Sequence, residues 1–152
     1  MEMDQKKLKR QLEKAGALVS VNGAGEVKAV QFVGKRTRDE HLELVAKALE
    51  IEKLIVSYSS ITNAGIAHLT GLPKLRILSL FRNEISDAGI AHLKGMTQLQ
   101  QLNLEETGLT DAGVPVLCTL TGLQRVSMDH QSVSDKAEAS LQAALPNCQI
   151  FR

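Results

Sequence analysis

The stretch Ile61-Thr-Asn-Ala-Gly-Ile-Ala-His-Leu69 returns almost unchanged as Ile85-Ser-Asp-Ala-Gly-Ile-Ala-His-Leu93, an offset of 24 residues. Carried along the chain, that offset sets repeat starts at Val27, Ile51, Leu75, Leu99 and Leu123 with no insertion. Four columns then stay in phase. The fourth position reads Val30, Leu54, Leu78, Leu102, Val126, and the sixth reads Phe32, Val56, Leu80, Leu104, Met128. The eleventh reads Thr37, Ile61, Ile85, Leu109, Val133, and the nineteenth reads Val45, Leu69, Leu93, Leu117, Leu141. A fixed period of this length marks a stacked repeat, in which no unit buries its apolar face alone.

The run Leu75-Arg-Ile-Leu-Ser-Leu-Phe-Arg-Asn-Glu-Ile85 resembles the leucine-rich-repeat family. The continuation Ser/Thr-Asp-Ala-Gly-Ile-Ala-His-Leu is similar to a bacterial 24-residue subclass of these repeats. The ending Ala144-Leu-Pro-Asn-Cys-Gln-Ile150 is similar to that subclass's C-terminal caps. The resemblance implies an α/β solenoid, a right-handed horseshoe arc with a parallel sheet on its concave side and short helices on its convex side. It fixes an architecture and no activity.

The residues agree with that expectation. Positions three to five of each repeat, such as Ile77-Leu-Ser79, read as a strand, with positions four and six pointing inward. Thr62, Ser86 and Thr110 precede Asp or Asn and Ala, Ser134 precedes Asp135, and all four predict helix starts with a hydroxyl N-cap. Stacking curves the sheet because helices are wider than the ~4.8 Å strand spacing.

One domain over residues 1–152 is expected. Residues 1–26 read as an N-terminal cap: a helix with Leu8, Leu12 and Ala15 on one face, Gly16 as its stop, then a strand from Ala17 to Val21. The turn Asn22-Gly-Ala-Gly25 closes a hairpin with Val27–Phe32. The fifth repeat has Ala137 where its neighbours have Gly and then Glu138, so a C-terminal cap is expected over about 138–152.

Net charge is +1, aromatic residues are 3% and Trp is absent, so the core is aliphatic and no global field favours nucleic acid or membrane. No stretch has the ~18 apolar residues of a membrane span, and Met1–Gly16 lacks the apolar run of a signal peptide. Cys118 and Cys148 do not make a disulfide framework, which points to a reducing, cytoplasmic setting. Cys118 reads as a surface thiol and Cys148 as a packed cap residue.

Chemistry is sparse. His68 and His92 share one repeat position on the convex side, but two imidazoles fall short of the three or four ligands of a zinc site. They read as helix-end residues. His41 stands in the glycine column of the first repeat and reads as solvated. No nucleophile elbow, phosphate loop or dinucleotide fingerprint occurs. Lys6, Lys7, Lys9, Arg10 and Lys14 read as a solvated helix face, since no aromatics interleave them, and Lys35-Arg-Thr-Arg38 adds a small basic patch. No enzyme, metal or cofactor is expected.

The outward strand positions are the third, fifth, seventh and eighth. Phe32 belongs to the core and Phe151 to the cap. Tyr58 and Phe81 fall on the concave face beside Ile55, Ile77 and Arg82, as exposed aromatics with an arginine, the composition of a binding hot spot. Glu105, Glu106 and Asp129 continue the face as an acidic stripe, edged by Arg125 and His130. These ten residues form the candidate site for a protein or peptide partner with an apolar anchor and a basic flank, bound by a monomer. The alternative is a structural or targeting unit of a larger adaptor or secreted effector.

The repeat register makes its own test. Leu102→Ala, in the middle of the stack, costs about 2–5 kcal/mol in urea denaturation. A midpoint equal to wild type refutes the register.

Overall fold

In the computed structural model, which describes residues 4–152, the chain begins with helix α1 (Gln5–Lys14) and a hairpin of β1 (Leu18–Val21) and β2 (Val27–Val33). The repeats supply α2 (Asp39–Val45), β3 (Lys53–Ser57), α3 (Asn63–Ile66), β4 (Ile77–Ser79) and α4 (Asp87–Ile90). They continue with β5 (Gln101–Asn103), α5 (Val114–Leu117), β6 (Arg125–Ser127), α6 (Asp135–Ala144) and β7 (Gln149–Phe151). Short 3₁₀ turns at Ala67–Leu69 and Ala91–Leu93 extend α3 and α4, and another at Asp111–Gly113 precedes α5. Among the described residues, seven strands form one sheet in chain order. β1 and β2 are antiparallel and every later pair is parallel. This is a solenoid arc, sheet on one side and short helices on the other.

The register is the sequence period made physical. Lys53 pairs with Ile77, Ile77 with Gln101, and Gln101 with Arg125, each 24 residues on. The fourth, sixth, eleventh and nineteenth columns are all buried. Two further columns join them. Leu42, Ile66, Ile90 and Val114 occupy the sixteenth position, and Ala48, Leu72, Met96 and Leu120 the twenty-second. At the first end Leu8 and Leu12 of α1 lie fully buried against the stack, and Gln5 Oε1 accepts the Val27 N–H at 3.1 Å. Gly16, at φ 97°, ends α1.

The helical side carries a second ladder, and it corrects the expected caps. The hydroxyls of Thr62 and Ser86 accept no hydrogen bond from their own helices. They reach back to the preceding repeat instead. Thr62 donates its N–H to Asp39 Oδ1 at 2.7 Å and its hydroxyl to Oδ2 at 2.6 Å. Ser86 donates its N–H to Asn63 Oδ1 at 2.9 Å and accepts Asn63 Nδ2 at 2.8 Å. Asp87 holds Thr110 and Asp111 holds Ser134 in the same two-pronged way. Thr110 and Ser134 also cap their own helices, at 3.3 and 3.1 Å. At Asp135 the partner is Arg152 instead, donating Nη2 at 2.6 Å while its Nε meets Glu138.

This ladder explains the glycines. A Cβ on Gly65, Gly89 or Gly113 would overlap the side-chain oxygen of Asp39, Asn63 or Asp87. His41, expected to be solvated, is half-buried instead: its Nδ1 accepts the Arg38 N–H at 2.8 Å and its ring tilts onto Phe32 at 5.5 Å. Where the strands begin, Glu50 joins Lys28 and Lys74, and Glu52 joins Lys28 and Arg76. Lys74 first and Lys28 next hold Glu50 below the usual carboxylate range, and Arg76 does the same for Glu52.

Two outcomes follow. Gly89→Ala forces Asn63 from its place and costs about 1–3 kcal/mol in urea denaturation, whereas Gly71→Ala, with open space around it, shifts stability by less than about 1 kcal/mol. Equal effects at the two positions refute the ladder as the reason for the glycine column. The second outcome concerns acid. The Ser134 backbone N–H first, and its hydroxyl next, hold the Asp111 carboxyl below its ordinary value of 3.8. A depressed carboxylate stabilises the fold fully above its unfolded pKa and loses that contribution as pH falls through the folded value. Asp111→Asn keeps both hydrogen bonds, as Asn63 does, and so loses less stability than wild type between pH 5 and pH 3. Parallel acid profiles for the two proteins refute the assignment.

Candidate functional site on the concave face

Parallel pairing repeats one side-chain direction at every strand, so columns three, five, seven and eight form straight rows on the concave face. Strand residues alternate out and in, and the core takes Leu54, Leu78, Leu102 and Val126.

The eighth column has an unusual backbone. Tyr58, Arg82 and Glu106 have φ of 55°, 58° and 52°, and Gly34, their counterpart in the first repeat, has 105°. Only this left-handed turn lets the chain leave the strand while its N–H still bonds the neighbour. Gly34 donates to Ser57 O, Tyr58 to Phe81 O and Arg82 to Glu105 O. Non-glycine residues there cost roughly 1 kcal/mol each, and the turn raises their side chains off the sheet. The signal was present in sequence as the lone Gly34 in a column of large residues.

These raised side chains connect to one another. Tyr58 and Phe81 meet edge to face, with centroids 5.5 Å apart at 77°. Arg82 lies 4.9 Å from the Tyr58 centroid, donates Nη1 to its hydroxyl at 3.0 Å, and places Nε 2.6 Å from Glu106 Oε2. Glu106 donates its N–H to Asp129 Oδ2 at 2.8 Å. Tyr58 is exposed, but Phe81, expected to be exposed, is half-buried because Tyr58 covers its edge. Ile55 and Ile77 are half-buried as well. The acidic stripe is not an open row of carboxylates. Glu106 is paired with Arg82, Asp129 secures a backbone amide, and the half-buried Glu105 lies 3.4 Å from Asn103 Nδ2. His130 is exposed and stands apart from this chain of contacts.

The first half of each strand is different. A trough of about 300 Å³ runs between Lys53 and Arg125 over Ile77, Ser79, Gln101 and Ser127. It continues past Ile55 into a second hollow of about 220 Å³ beside Leu18 and Ser20 of β1. Arg125 lies 5.1 Å from the ring of Phe151. Phe151, read from sequence as cap, pairs with Ser127, is 45% exposed and lies under the Arg125 guanidinium at the end of this trough. Lys53, Phe151 and Leu18 were absent from the candidate set. The third-column arithmetic could have given Lys53, but only the sheet register gives Leu18 and Phe151.

Elsewhere the chemistry is slight. A cavity of about 470 Å³ opens on the helical side between Val114, Pro115, Cys118 and Lys136. Cys118, expected at the surface, is half-buried there, and burial raises its thiol above the ordinary range, away from the reactive thiolate. Cys148 is buried in the last turn. Among the described residues no group of three or more His, Cys, Asp and Glu is placed to hold a metal ion. Among them, too, no helix is long and apolar enough to cross a membrane.

Residues 50–109 match the family model described as leucine rich repeat, which spans repeats two and three and the start of the fourth. Within that matched stretch the repeats are of the leucine-rich type. No curated protein matches the sequence. Among solved structures, the chain is similar to the tropomodulin C-terminal domain of Caenorhabditis elegans, with a TM-score of 0.66 at 16% identity, covering 95% of this chain and 93% of that one. It is also similar to an internalin from Listeria monocytogenes, with a TM-score of 0.52 at 18% identity, covering 97% of this chain and 54% of the internalin. The chain thus spans about half the internalin's length. At these identities the likeness concerns the fold.

Proposed function

We propose that this chain is a non-enzymatic interaction module that takes a protein or peptide partner on the concave face of its sheet, as a monomer in a reducing cytoplasmic setting. One observation carries the reading. The Tyr58–Phe81–Arg82 cluster and the adjoining trough put aromatic, aliphatic and cationic groups on one rigid surface. The left-handed turns fix those side chains before any partner arrives, which lowers the ordering cost of binding. The two free cysteines support the compartment. The Asp-Ala-Gly-Ile-Ala-His-Leu run supports the bacterial 24-residue subclass.

A second reading is a structural or targeting unit within a larger protein. Under that reading the exposed β1 edge, with Leu18 at 72% exposure, is where another segment packs.

The experiment is affinity capture with wild type and with a Tyr58→Ala/Phe81→Ala variant, followed by hydrogen-exchange mapping of the recovered complex. Protection is expected over β3 to β6. Phe81→Ala weakens binding by about 1–3 kcal/mol, chiefly through faster dissociation. Matching urea midpoints for the variants separate lost contact from lost fold. Protection on the helical side around His68 and His92 overturns the proposal.

A further inference from the structure

The cations of the sheet surface divide into two sets. Lys28, Lys74 and Arg76 are held by Glu50 and Glu52, Arg82 by Glu106, and Arg152 by Asp135 and Glu138. Among the described residues Lys53 and Arg125 form no ion pair and make no side-chain hydrogen bond. Both are exposed, and both stand in the third column, at opposite ends of the 300 Å³ trough. No carboxylate occupies column three or five, where Ile55, Ile77, Ser79, Gln101, Asn103 and Ser127 are the remaining residues of β3 to β6. Arg125 rests on Phe151, which orients its guanidinium while leaving the donors free. The trough therefore has positive ends, an apolar and small polar floor, and unused donors.

We infer, resting on the concave-face reading above, that the partner lays an extended acidic segment across the strands in this trough, with one carboxylate at Lys53 and another at Arg125. The spacing sets the sequence of that segment. Lys53 and Arg125 are three strand steps apart, roughly 14 Å at ~4.8 Å per step. An extended chain advances ~3.3 Å per residue, so the two carboxylates fall about four residues apart. Four is an even number, and alternation then turns both acids toward the sheet. The side chain midway between them faces the sheet as well and lies between Ile77 and Gln101, where it can lean on the Ile77 side chain. An apolar residue fits there. Acid, any, apolar, any, acid is the recognition pattern.

The test is amide-shift titration of the ¹⁵N-labelled chain with capped synthetic peptides. The probe is Ser-Glu-Thr-Leu-Thr-Glu-Ser. Its comparators carry lysines for both glutamates, or lack one threonine so that the acids are three apart. An eight-residue thymidine oligonucleotide supplies phosphate without carboxylate. The expected result is saturable shifts at Lys53, Ile77, Gln101 and Arg125, with affinity for the probe about tenfold or more above that for the lysine peptide, declining with salt. Lys53→Glu/Arg125→Glu reverses the preference. Lys53→Gln/Arg125→Gln abolishes it with an unchanged urea midpoint, and Lys94→Glu on the helical side leaves it intact. Equal binding of acidic and basic peptides, equal binding at the shorter spacing, oligonucleotide binding as strong as the probe's, or no saturable shift overturns the inference. A partner that protects Tyr58 and Phe81 but is indifferent to the Lys53 and Arg125 variants overturns only the acidic segment. A partner on the helical side overturns both readings.

Discussion

The two-pronged hydrogen bond from each repeat's Asp or Asn to the Ser or Thr of the next is the contact on which the stack depends. A parallel sheet couples neighbouring repeats on one side only. Without an equivalent coupling on the other side, helical segments of four residues could not hold their place, since isolated helices that short do not form in water. The rung from Asp39 to Thr62, and its successors through Asp111 and Ser134, provides that coupling. It satisfies backbone N–H groups at the helix starts and fixes the repeat spacing on the convex side. Its space requirement removes the Cβ from the next residue in reach, which accounts for Gly65, Gly89 and Gly113. The end of the ladder is chemically different because Arg152, not a further hydroxyl, closes on Asp135.

A rigid stack makes a face whose charges are fixed in place. The eighth-column turns raise Tyr58, Arg82 and Glu106 into one connected row, and that connection changes what the row can offer. An arginine stacked on tyrosine and paired with glutamate presents a shaped, nearly neutral surface. The unpaired positive charge lies instead where the strands begin, at Lys53 and Arg125. On the proposed reading, the eighth-column row supplies the aromatic anchor and the trough supplies electrostatic selection. Such a division lets one surface combine an anchoring contact with discrimination among partners.

Much of this was legible in the chain itself. The period of 24 set the register of every parallel pair, and the alternation within positions three to eight set which side chains face out. What escaped were contacts that skip between repeats. Thr62 and Ser86 look like ordinary N-caps because a hydroxyl before Asp-Ala satisfies the local rule, yet their partners lie 23 residues earlier. Phe81 looks exposed by position, yet Tyr58 of the preceding repeat covers it. His41 looks like a surface substitution for glycine, yet it binds the Arg38 amide and the Phe32 ring.

The sequence by itself determined the repeat, the buried columns and the identity of the outward rows, because periodicity of 24 with alternating strands is a one-dimensional property. Only the tertiary structure decided which outward charges remain available. Pairing depends on side chains brought together from different repeats, on backbone turns such as those at Tyr58 and Arg82, and on the terminal strand that slides Phe151 beneath Arg125. Lys53 and Glu106 are both charged residues on the same face. One is unpaired and the other is bound because Arg82 stands within 2.6 Å of the second, and no carboxylate among the described residues comes within ion-pair distance of the first.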